Sequence, residues 1–163
     1  MRGLAIAMTA AALASACAHK SALDTPGEAS ATEPAKDAIT KPVETGPVKI
    51  TEKVWPAKPT LGEPIYLRLE IDAAPGASVN AEFQEAGDNT MGRFAVAGFT
   101  RHPGTGSDGG QHEVQTYTLE APSSGKQRIP PLRFEMIDAR AAGSAARGSG
   151  GQQEILTDEV PLD

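Results

Sequence analysis

The run Ile65-Tyr66-Leu67-Arg68-Leu69-Glu70-Ile71-Asp72 decides the fold. Ile65, Leu67, Leu69 and Ile71 alternate with Tyr66, Arg68, Glu70 and Asp72. Unbroken period-two alternation of this kind predicts a β-strand with one buried and one wetter face. Gly62-Glu63-Pro64 turns the chain into the strand, and Ala74-Pro75-Gly76 turns it out. The same signal recurs more weakly on both sides. Upstream, Val48, Ile50 and Val54 lie at even spacings, with the charged Glu52 among them, and Trp55-Pro56 closes the segment. Downstream, Val79, Ala81 and Phe83 predict a third strand, Gly87-Asp88-Asn89 a turn, and Phe94 and Val96, running toward Phe99, a fourth strand interrupted at Gly98.

A loop is expected from His102 to Gln111, carrying Pro103 and four glycines. Glu113 to Ala121 reads as a fifth strand, with Tyr117 and Leu119 on one face and Thr116 and Thr118 on the other. Val114 is out of phase, which implies a bulge or a later start. After a loop from Pro122 to Lys126, Leu132, Phe134 and Met136 form the inward face of a sixth strand. Pro130 and Pro131 set a bend ahead of it, since proline donates no ladder hydrogen bond. A small-residue loop, Ala139 to Gln152, precedes a last strand with Ile155, Leu156, Val160 and Leu162, broken in pattern around Asp158-Glu159. About seven short strands separated by Gly, Pro, Asn and Asp turns predict an all-β chain, a β-sandwich.

The N-terminus carries a different signal. Arg2 precedes a short apolar run that ends in Ala14-Ser15-Ala16-Cys17. A charged start, a short apolar core and small residues before the end are the three parts of a secretory signal, and the run is too short for a membrane span. Cys17 is the only cysteine of the 163 residues, so no intrachain disulfide forms. Residues 1–16 are therefore expected to be a leader. Residues 18–46, rich in Ala, Ser, Thr, Glu and Lys and broken by Pro26, Pro34 and Pro42, are expected to be a flexible tether. A short helix around Ala29 to Ile39 is the alternative. The folded domain is expected over residues 47–163. The net charge of −6 argues against nucleic acid as a partner, which selects for a basic surface.

Two resemblances follow from these residues. Ala14-Ser15-Ala16-Cys17 resembles the lipobox of bacterial lipoproteins, although Ala14 stands where leucine is usual. That implies removal of residues 1–16, lipidation of Cys17 and attachment of the chain to the membrane through this N-terminal anchor, facing the periplasm. Ala18, standing where aspartate retains such proteins at the inner membrane, favours the outer membrane. Pro56 through Ile71, Met91-Gly92-Arg93-Phe94-Ala95-Val96, Tyr117 through Phe134 with its Ile129-Pro130-Pro131-Leu132, and Thr157-Asp158-Glu159-Val160-Pro161-Leu162 together resemble the BatD-type, or oxygen-tolerance, domain. The resemblance implies an Ig-like fold, no catalytic residues, and a role in envelope complex assembly or stress tolerance beside partners such as von Willebrand A-domain proteins. The chain departs from that family in having one module and an anchor at the other end.

The chemistry-bearing residues give no strong motif. His102 and His112 bracket the glycine-rich loop with Asp108 between them, but the spacing matches no metal-ligand pattern, and His19 is the only other histidine. Glu82 with Glu85, or Glu70 with Asp72, could form acid–base pairs, yet nothing in the sequence gives them a cleft. No enzymatic activity, metal or cofactor is expected. A recognition surface is expected instead at Arg93, Arg101, His102, Asp108 and His112, on and beside the 103–111 loop. A metal site or enzyme built on the His102–His112 loop is the alternative.

Overall fold

The computed structural model describes residues 33–81, 90–123, 125–140 and 151–163. Cys17 with the leader, Glu82, Phe83, Glu85, the 87–89 turn and most of the 139–152 loop lie outside the described residues. The described chain is all-β and its strands pair antiparallel throughout. In order they are β1 (Ile39–Thr45), β2 (Val48–Trp55), β3 (Ile65–Ala73), β4 (Ala77–Asn80), β5 (Thr90–Met91), β6 (Phe94–Thr105), β7 (Gln111–Glu120), β8 (Gln127–Ile129), β9 (Arg133–Asp138), β10 (Gln152–Leu156) and β11 (Val160–Leu162). Six form one sheet in the order β1-β2-β3-β7-β6-β5. The others form the sheets β10-β9-β4 and β11-β8.

The deciding run is β3, at the centre of the six-stranded sheet. Ile65, Leu67, Leu69 and Ile71 are buried on one face, and Tyr66, Arg68, Glu70 and Asp72 point to the other. The turn before it uses Gly62 at φ +80, with the Glu63 amide donating to the Thr60 carbonyl at 3.0 Å. Glu63 Oε2 accepts from both the amide and the hydroxyl of Thr60 at 2.8 Å, which holds its carboxyl below the usual range.

Several expectations change. The tether was expected to reach residue 46, but residues 39–45 are a strand, joined to β2 through Gly46 at φ +56. Its apolar Ile39 and Val43 pack against the core only partly, so their alternation was masked by polar neighbours. Pro42 fits because β1 is an edge. The expected 102–111 loop shrinks to residues 106–110, because β6 runs to Thr105 and β7 begins at Gln111. Val114 marks neither a bulge nor a late start: β3 and β7 pair without a break from Ile65↔Leu119 to Ala73↔Gln111. It is half-buried on the outer face, while Glu113 and Gln115 turn inward. The bulge lies in β6, between Val96 and Gly98.

The expected sixth strand is β9, preceded by a short strand that was not expected, β8, and the expected last strand is divided into β10 and β11, yet the four behave as one ribbon. Leu156 pairs with Arg133 and Val160 with Ile129, four residues on in both arms, so a single register continues from β9–β10 into β8–β11. Between them, Leu132 and Thr157 exchange hydrogen bonds: the Leu132 amide donates to Thr157 Oγ1 at 2.9 Å and the Thr157 amide to the Leu132 carbonyl at 3.0 Å. The break falls at Pro130-Pro131, as expected of residues without an N–H. Pro130 is also a contact point: a Cβ on Gly92 would come within 3.0 Å of its ring.

One core cluster draws side chains from both parts, including Leu67, Leu69, Phe94 and Tyr117 of the six-stranded sheet and Phe134, Ile155 and Val160 of the ribbon. Each fully buried residue of this size contributes roughly 1.5–3 kcal/mol against solvent exposure. The face of the large sheet turned away from this core carries the polar rows that form the site.

Candidate functional site

On that outer face, strand register aligns one residue from each of five strands. Glu44 of β1 lies opposite Lys49 of β2, Lys49 opposite Asp72 of β3, Asp72 opposite His112 of β7, and His112 opposite Gly104 of β6. Lys49 Nζ stands 3.1 Å from Glu44 Oε1, and His112 Nδ1 stands 2.6 Å from Asp72 Oδ1. Gly104 leaves the row open at its end, where a side chain would meet the His112 backbone oxygen at 3.4 Å and the imidazole Cδ2 at 3.8 Å. Both contacts are well exposed, so each adds at most about 1 kcal/mol to stability.

This row floors an open cleft of about 820 Å³ at one end of the sheet. One wall is the β1–β2 turn with Gly46 and Pro47. The other is the β6–β7 hairpin tip with Gly106, Ser107 and Asp108. The tip is tight. The Gly109 amide donates to the Gly106 carbonyl at 3.0 Å, the Gly106 amide to the Gly110 carbonyl at 2.9 Å, and the Gly110 amide to Asp108 Oδ1 at 2.9 Å. Gly109 takes φ +83, giving the turn-plus-left-handed-residue pattern of short hairpins. Gly110 presses on the end of β3, where a Cβ would lie 2.1 Å from the Ala73 carbonyl oxygen. The hairpin is therefore seated against the strand that supplies Asp72.

Of the residues expected to form one recognition surface, the fold brings Asp108 and His112 to the cleft. His102 lies one row along the same face, opposite Val114, and is exposed. Arg101 lies on the opposite face. Its Nε and Nη2 donate to Glu113 Oε1 and Oε2 at 2.7 and 2.8 Å. Arg93 sits in the β5–β6 turn, separated from the hairpin by the length of β6, roughly 40 Å of extended chain. The rows also explain Glu70. Lys53 Nζ donates to both its oxygens at 2.8 Å and Arg68 Nε stands at 3.1 Å, so Glu70 and Asp72 have separate partners rather than each other. Among the described residues no three His, Cys, Asp or Glu side chains are placed to hold a metal ion.

Among the described residues the inner face carries two buried acids. Glu113 is 2% exposed and begins a chain of bonds: Gln115 Nε2 donates to Glu113 Oε1 at 2.6 Å and the Tyr117 hydroxyl to Gln115 Oε1 at 3.0 Å. The Arg101 bonds hold the Glu113 carboxyl below its usual range against the opposing effect of burial. Burial pushes the Tyr117 phenol well above its usual range. Glu52 is different. It is 1% exposed, and neither carboxyl oxygen has a full hydrogen bond. Burial raises it from 4.5 to about 7, only partly offset by the neighbouring Thr157 hydroxyl and the Lys41 charge, while Asp158 adds to the rise.

Asp72, Lys49, Glu44 and Ser107 were not expected in one site with Asp108 and His112. Their convergence depends on cross-strand register. The only trace in sequence is the alternation that puts Asp72 on the wet face of β3. Among the described residues no helix is long and apolar enough to cross a membrane. No family model matches the chain, no curated protein matches it, and no solved structure matches it.

Proposed function

We propose that this chain is a non-enzymatic binding module of the bacterial envelope, anchored through lipidated Cys17, facing the periplasm, and docking a protein partner in the cleft above the Glu44–Lys49–Asp72–His112 row. The observation that carries this reading is the pairing of a rigid rim with a polar floor. The hairpin is held by its own backbone bonds and seated on β3 through Gly110, so little ordering entropy is lost on binding. An Ig-like β-sandwich of the BatD type suits the single core shared by the large sheet and the ribbon, and a von Willebrand A-domain protein is the partner class that resemblance suggests. The lipobox-like leader supports the anchor, with the outer membrane as its site.

The test has two arms. Labelled palmitate should enter the full chain and be lost in Cys17→Ser; incorporation that survives the substitution removes the anchor. Crosslinking in envelope preparations should recover a partner that Lys49→Glu together with Asp72→Lys loses while Arg93→Glu, at the far end of β6, retains it. Equal recovery by all three chains removes the cleft. A hydrolase is the second reading, favoured by the His112–Asp72 pair with Ser107 on the same cleft. Binding is preferred because no hydrogen bond joins Ser107 to His112. Ester hydrolysis lost in both His112→Ala and Ser107→Ala would reverse the preference.

A further inference from the structure

Glu52 occupies a core-facing position of β2, flanked along the strand by Ile50 and Val54 and across it by Leu69 of β3. On its other side it is paired with Lys41 of β1. Both side chains point to the same face, since cross-strand partners do. Yet the Lys41 ammonium does not reach the carboxylate. It donates to the Glu159 carbonyl at 2.7 Å, so β1 is tied to the bend of the ribbon 118 residues away in sequence. The bend lies against Glu52, with Thr157 and Asp158 acting on it. The charged side chains facing Glu52 are thus Lys41 from β1 and Asp158 from the bend; β3 contributes an apolar neighbour.

A buried carboxyl without a full hydrogen bond is tolerable when neutral and costly when ionised, unless a cation comes to it. Lys41 is the cation paired with Glu52 across β1 and β2, and its ammonium is engaged by the Glu159 carbonyl rather than by the carboxylate. We propose that Glu52 and Lys41 form a proton-gated latch on β1. With Glu52 neutral, Lys41 holds the Glu159 carbonyl and β1 is fastened to the ribbon bend. When Glu52 loses its proton to solvent, Lys41 turns inward to the carboxylate, and the bond to the bend is given up. The edge of the large sheet then loosens at β1. Burial raises the Glu52 carboxyl to about 7, which places the transition near neutral pH. The latch does not depend on the cleft or on lipidation.

The experiment is amide hydrogen exchange on the full chain across pH 6 to 8.5, corrected for intrinsic exchange, with ¹³C-carboxyl NMR titration of Glu52 in the same sample. Protection of residues 39–45 and 157–160 should fall by about tenfold or more as Glu52 ionises, the change that one unit of differential proton affinity carries. The fall should vanish in Glu52→Gln and shrink in Lys41→Met. A Glu52 carboxyl that titrates near 4.5, or protection that falls equally in Glu52→Gln, overturns the latch. Should Glu52→Gln fail to fold, the parent chain's carboxyl titration and the coincidence of its midpoint with the loss of protection decide alone.

Discussion

Glu52 shows how one side chain sets the pH response of a fold. Its carboxyl is raised in the folded chain to about 7 from an ordinary 4.5. The folded state therefore holds more protons than the unfolded one between these values, and stability falls as pH rises through that window. Below about 4.5 the stability is fully present; above about 7 the loss is complete. The difference corresponds to roughly 3 kcal/mol. Glu52→Gln should leave stability near that of the parent at pH 4 and exceed it increasingly up to pH 8. Urea unfolding of both chains at each pH would check this, and parallel curves would remove the assignment. Glycine gives a second residue-scale contrast. Gly110→Ala should cost about 2–4 kcal/mol, because its Cβ would collide with the Ala73 carbonyl. Gly109→Ala meets no atom within 4 Å and should cost only about 1–2 kcal/mol of backbone strain at its positive φ. Thermal denaturation of the two variants would rank them, and the reverse order would contradict this packing of the hairpin.

Strands were legible where alternation was clean and hidden where it was not. β3 announced itself, because Ile65 through Ile71 alternate without fault. β2 was legible despite Glu52, though only the fold shows that this acid truly faces inward. β7 was misread for a similar reason: buried Glu113 and Gln115 satisfy each other with Arg101, so polarity stopped reporting exposure. β1 was read as tether because an edge strand need bury only half of its apolar face. Its polar character has a use. An edge strand exposes unpaired backbone groups, and inward-pointing charge and proline are established protections against pairing with another chain. Lys41 and Pro42 supply both. Replacing them together by valine should promote self-association, measured by sedimentation velocity at rising concentration. A chain that stays monomeric throughout would remove the protective role.

At the scale of the molecule, the all-β class followed from short strands and turn residues, but the grouping into three sheets did not, because it depends on which strands meet rather than on where they lie. The cleft was illegible for the same reason. Asp72 and His112 are neighbours only once β3 and β7 are paired in one register. Domain limits follow the fold rather than composition. A chain beginning at residue 38 keeps β1, whereas one beginning at residue 47 exposes the β2 edge and uncovers Ile50 and Val54. The shorter chain should be less stable by about 1–3 kcal/mol, given the partial burial of Ile39 and Val43. Limited proteolysis and denaturant midpoints would compare the two, and equal midpoints would place β1 outside the cooperative unit.

The ribbon also constrains how the length of this chain can change. Its two arms keep one register on both sides of a bend, so a residue lost from either arm alone would turn every side chain beyond the loss from core to solvent. Variation in length within the ribbon is then confined to matched changes in both arms.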